Sequence, residues 1–164
     1  MTVMRLGTAA LALGTAILAA SLLAPASFAQ AQVKQKAPVA KAAMHKVAMQ
    51  VSQNDKAVMD LALNNARNIV EYYKEKGETV AIEIVTYGPG LHMLRADTSP
   101  VKERIAPMSL EHSNIKFMAC ENTQKNQSKA EGKPVTLISE ATVTPSGVVR
   151  LMELQKQGYA YIRP

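Results

Sequence analysis

The chain has 164 residues, a formal net charge of +6, one cysteine, no tryptophan, two phenylalanines and five tyrosines. That length holds one core rather than several. A lone cysteine excludes an intramolecular disulfide, and a modest basic excess with so few aromatic rings argues against a nucleic-acid surface.

Residues 1–29 carry a single charge, Arg5, followed over 6–24 by an apolar run broken only by Gly, Thr and Ser. "PASFAQ" then offers Ser27 and Ala29 at the small-residue positions of a cleavage site, so a signal peptide removed after Ala29 is expected. About twenty apolar residues could also span a bilayer as an uncleaved anchor, but Ala and Gly dilute this run and its small-residue exit favours removal. The expected location is periplasmic or secreted, with no membrane attachment after cleavage. Residues 30–44 place Lys34, Lys36 and Lys41 in a stretch without apolar period, which reads as a disordered basic arm.

From His45 onward, short β-like runs alternate with amphipathic helical ones, and 45–164 is expected to form one domain. "HKVAMQVS" is the first strand. "DKAVMDLALNNARNIVEYYKEKG" spaces Val58, Leu61, Ala62, Ile69, Val70 and Tyr73 near helical period, with Gly77 as its stop. "TVAIEIVTYG" is a nearly continuous apolar strand, as in a parallel sheet covered on both faces. Glu83 in its middle means either that this strand is partly exposed or that the carboxylate pairs with a partner such as Arg95 or another subunit. "GPGLHML" is a loop that turns into a short helix. "SPVKERIAPMSLEHS" starts a helix with Ser99 as cap and Pro100 in the first turn, and Pro107 is expected to kink or split it.

"IKFMAC" is the third strand. "ENTQKNQSKAEGK" follows as a polar helix opened by Asn122 or Thr123. "PVTLISEATVTP" supplies a fourth strand, "PSGVVRLMELQKQG" a helix capped by Ser146 and closed by Gly158, and "YAYIRP" a terminal strand. The fold class is therefore α/β: a doubly wound, mainly parallel sheet of about five strands with helices on both faces. Right-handed crossovers bring all strand carboxyl ends to one edge, where ligands gather.

Cys120 ends the third strand at that edge, facing the start of the next helix, whose unpaired amides favour thiolate over thiol. The alternative is a small buried hydrophobe finishing an apolar strand. His45, His92 and His112 lack metal-ligand spacing, so no metal is expected. His92, after "GPG", is the one placed to reach the edge. "GPGL" lacks the glycine spacing and lysine of a nucleotide loop and reads as a tight turn with close backbone approach. Asn65 and Asn68 share one helix face as candidates for contact with a neighbouring loop. With no phosphate loop or aromatic sandwich for a flavin, no cofactor is expected.

"LALNNARNI", "VTYGPGLHML", "FMACENT" and "TPSGVVRLMELQKQGYAYIRP", in that order, resemble the DsrE/DsrF-like family of sulfur relay and intracellular sulfur oxidation, over nearly all of 45–164. The resemblance implies a DsrE-like domain that assembles into homo-oligomers, trimers or hexamers, with sulfur donor and acceptor proteins as further partners. It implies that Cys120 carries sulfur as a persulfide. It marks Asn65, Asn68, Gly88, Pro89, Gly90, Asn122 and Thr123 as pocket-lining candidates, with His92 added from its position. A non-enzymatic module that binds a small ligand or partner around a structural cysteine is the competing function. Relatives work among reduced cytoplasmic partners, so an exported thiol would need a dedicated reductant.

Overall fold

The computed structural model describes residues 44–164. The expected leader, 1–29, and all of the expected arm except Met44 lie outside them. Five strands form one parallel sheet: β1 (Met44–Val51), β2 (Thr79–Thr86), β3 (Ile115–Cys120), β4 (Ala141–Thr144) and β5 (Ala160–Ile162). Their order across the sheet is β4-β3-β2-β1-β5. The chain thus steps outward from β1 in one direction three times, then crosses back to lay β5 on the far side of β1.

With right-handed crossovers, that reversal puts the last helix on the opposite face from those before it. The first face buries Val47, Met49 and Val51 of β1, Ile82 and Ile84 of β2, and Phe117 of β3. Met59, Leu63, Ala66 and Val70 of α1 (Lys56–Glu75) and Ile105 and Met108 of α2 (Lys102–Glu111) cover them. The alternate positions Ala48, Val85 and Met118 face the other way, against Leu151 and Leu154 of α4 (Gly147–Lys156). Side chains that alternate along a strand feed both layers, which is why the β2 sequence is apolar almost throughout.

Local signals explain most boundaries. The Asp55 carboxylate accepts from the Ala57 N–H at 2.7 Å to cap α1. Gly77, at φ 69°, supplies the left-handed residue that ends it. Ser99 departs from its expected role. Its hydroxyl donates to the Met93 carbonyl at 2.5 Å and accepts from the Val101 N–H, stabilising the turn before α2, which starts only at Lys102. Pro107 lies inside α2 without splitting it. The expected fourth strand shrinks to four residues, because the segment before it leaves the sheet to bridge Leu137 with Arg95. A further helix, α3 (Glu121–Glu131), joins β3 to β4. Among the described residues, no helix is long and apolar enough to cross a membrane.

Candidate functional site

The parallel sheet brings the carboxyl ends of β2, β3 and β4 side by side, and Cys120 is the last residue of the middle strand. It is also the N-cap of α3, so strand and helix meet at the sulfur-bearing residue itself rather than at Asn122 or Thr123. The residue is 5 % exposed. No side-chain cap bond is closed at Cys120, so no capping side chain competes with Sγ for the first amides of α3.

A second helix start reaches the same thiol. Gly147, the first residue of α4, packs so closely that a Cβ built on it would lie 2.9 Å from Cβ of Tyr87 and 3.3 Å from Cβ of Cys120. Only a residue without a side chain lets the backbone of α4 approach this near. Burial pushes the Cys120 thiol pKa up. The Thr123 hydroxyl and the backbone N–H groups of Gly147, Thr123 and Asn122 stabilise the thiolate more than burial penalises it, so the pKa falls below the ordinary 9.0.

The "GPG" turn at the end of β2 closes the third side. Gly88 has φ 54°, in the left-handed region, and its N–H donates to Oγ1 of Thr123 at 2.9 Å. Gln127 Nε2 donates to the Gly88 carbonyl at 3.3 Å. A Cβ on Gly90 would stand 2.2 Å from the Val51 carbonyl oxygen, the close backbone approach expected of this turn. Gly88, Pro89, Thr123, Asn126, Gln127 and Ala130 line an open cavity of about 370 Å³, of which Cys120 is not a lining residue.

Of the sequence candidates, the fold gathers Cys120, Asn122, Thr123, Gly88 and Pro89 in one place, with Gly90 supporting the turn from below. Asn122 contributes its backbone, since its side chain is on an exposed residue and its N–H also points to the Pro145 carbonyl at 3.4 Å. His92 is half-buried in the 3-10 helix Gly88–Leu94, and no hydrogen bond joins it to Cys120 among the described residues. Asn65 and Asn68 are not brought to the site. Asn65 sits at the middle of α1 and Asn68 beyond it; the start of α1 is the end near the strand carboxyl edge, so Asn65 lies roughly 14 Å down the helix from it at 1.5 Å per residue.

Glu83 corrects a further expectation. Its carboxylate is held by Arg150 of α4, with Nη2 to Oε1 at 2.6 Å and Nε to Oε2 at 2.8 Å, rather than by Arg95. Arg95 instead forks onto Asp97 and Glu131. Sequence reasoning missed Gly147 and Tyr87 as part of the site. The available signal was "PSG", a cap serine followed by a glycine at the first helical position, where any residue would serve the helix alone.

The model of the DsrE/DsrF-like family matches residues 45–164. A solved structure, the protein of unknown function MTH1491 from Methanobacterium thermoautotrophicum, is similar with a TM-score of 0.61 and 30 % sequence identity. The match covers 73 % of this chain and 99 % of that one. Comparison with curated proteins finds no match. A family match over the whole described sheet, together with a structural neighbour of the same α/β architecture, places this chain in the DsrE/DsrF-like family.

Proposed function

We propose that this protein is an exported sulfur carrier or sulfurtransferase working through a persulfide on Cys120. The observation that carries the reading is the convergence of two helix starts, α3 and α4, on the one thiol, with its pKa drawn below 9.0 against the cost of burial. A thiolate is the nucleophile such chemistry needs. The sulfur of Cys120 attacks the outer sulfur of thiosulfate or a polysulfide. A new S–S bond forms, the donor S–S bond breaks, and sulfite or the shortened polysulfide leaves with the electron pair. An acceptor thiolate then takes the outer sulfur and releases the Cys120 thiolate, so no net oxidant is consumed. The helix amides that stabilise the thiolate also suit the persulfide anion.

The leader-like residues 1–29 support a periplasmic or secreted location, and the family resemblance supports a homo-oligomer, trimer or hexamer. Incubation with thiosulfate or polysulfide followed by intact mass measurement tests the carrier role. The parent gains one sulfur atom per chain and Cys120→Ser gains none; equal labelling of the two ends the proposal.

The 5 % exposure of Cys120 favours a second reading, a small-ligand or partner-binding module in which the cysteine packs. That reading requires slow alkylation of the thiol. Fast reaction of Cys120 with iodoacetamide at mildly acidic pH excludes it.

A further inference from the structure

The α3 sequence, ENTQKNQSKAE, has no apolar stripe, and the helix has no fully buried residue. Eleven residues of such composition are marginal as a helix in water, because helices of this length usually rely on an apolar face packed into the core. Polar ties hold it instead. Thr123 accepts from the Gly88 N–H, Gln127 donates to the Gly88 carbonyl, Gln124 donates to the Val135 carbonyl at 2.8 Å, and Ser128 Oγ accepts from the Val135 N–H at 2.9 Å.

The far end carries the strongest tie. Glu131, the last helical residue, puts a carboxylate where the helix dipole favours a cation, so it opposes the helix unless paired. Both of its oxygens meet the guanidinium of Arg95, Oε2 at 2.9 Å from Nη2 and Oε1 at Nη1. Arg95 is itself 7 % exposed, gripped from its other side by Asp97, and bridged through its backbone to Leu137. The pairing holds the Glu131 carboxyl below the usual carboxylate range, Arg95 being the main cause and Lys133 a lesser one.

We infer that Arg95 and Glu131 are positioning residues for the Cys120 thiol, their ion pair seating α3 so that its first amides face a sulfur the same helix otherwise covers. The inference rests on the proposed thiolate chemistry and adds its gate: a helix anchored by polar ties alone lifts locally without unfolding the core, and lifting both exposes Sγ and removes the amides that stabilise its charge. Exposure and acidity of the thiol are therefore coupled in opposite senses through Glu131.

The test is the alkylation rate of Cys120 by iodoacetamide in the full chain, as a function of pH and of urea below the unfolding transition, for the parent, Glu131→Gln and Glu131→Asp. Glu131 is on the surface, so these changes leave the core intact. The expected result for Glu131→Gln is a midpoint moved to higher pH together with an alkaline plateau rate raised several-fold. The urea dependence should be shallow, as local opening gives, and Glu131→Asp should fall between the two. An unchanged midpoint and plateau in Glu131→Gln overturns the inference, as does a rate that climbs with the full urea dependence of global unfolding. Alkylation needs no sulfur donor, so a shifted profile alongside absent sulfur uptake by the parent refutes the carrier proposal and leaves the positioning role standing.

Discussion

Replacing Arg150 with Leu isolates the pair that holds α4 to the sheet. Glu83 sits mid-strand with its side chain 5 % exposed, and both its oxygens are taken by Arg150, whose side chain is 25 % exposed. Its cross-strand neighbour Lys116 is solvent-exposed and offers only weak compensation. Removing one partner of a buried pair leaves an uncompensated charge and costs about 3–5 kcal/mol; the partial exposure of Arg150 puts the expected loss near the lower figure, ~3 kcal/mol. At a urea slope of about 1.5 kcal/mol per M, the unfolding midpoint falls by about 2 M with the slope unchanged.

Glu83→Gln should cost less, ~1–2 kcal/mol, because Arg150 keeps a route to water and to Glu153, 3.7 Å away. The asymmetry is the point, and urea unfolding followed by circular dichroism reads it. A loss below about 1 kcal/mol in Arg150→Leu, or an equal or larger loss in Glu83→Gln, refutes the argument that the buried carboxylate is the costly member. Arg150 lies one turn from Gly147, so Arg150→Leu should also slow alkylation of Cys120 at acidic pH.

Gly147→Ala forces its new Cβ to within 2.9 Å of Tyr87, so α4 must back away. The expected result is a stability loss of about 1–3 kcal/mol and a Cys120 alkylation midpoint at higher pH, and an unmoved midpoint denies α4 any hold on the thiolate. The depressed thiol pKa also makes stability depend on pH. An acid whose pKa is lower in the folded state adds stability above its unfolded value and loses it as pH falls through the folded one. The stability of the parent relative to Cys120→Ser should therefore climb as pH rises toward 9.0 and level off beyond it. Urea unfolding at a series of pH values measures this, and a flat difference contradicts the shift.

How far the sequence could be read depended on whether the cause was local. β3 was legible to the residue as "IKFMAC", because apolar side chains on both faces end abruptly at a polar run. Gly77 and Gly158 marked helix ends through a left-handed backbone that needs only neighbours in the chain, and Ser146 stands at the N-cap position of α4 although its side chain closes no cap bond. The partner of Glu83 was not legible, since Arg150 lies 67 residues away and meets it only because β5 returns beside β1 and draws α4 across the second face. The thiol was placed at the carboxyl end of β3, but the amide that α4 adds, from Gly147, depends on the same crossover. Asn65 and Asn68, carried as pocket candidates by the family resemblance, lie at and beyond the middle of α1; a motif match says nothing about height along a helix axis.

The strand order also has a consequence for when the molecule can form. β1 acquires its second neighbour only from Ala160–Ile162, after the other strands of the described sheet have been made. Until those residues emerge, the β5 side of β1 presents bare backbone donors and acceptors. A polypeptide still being synthesised therefore has no finished sheet to lock into until Ala160–Ile162 have been made.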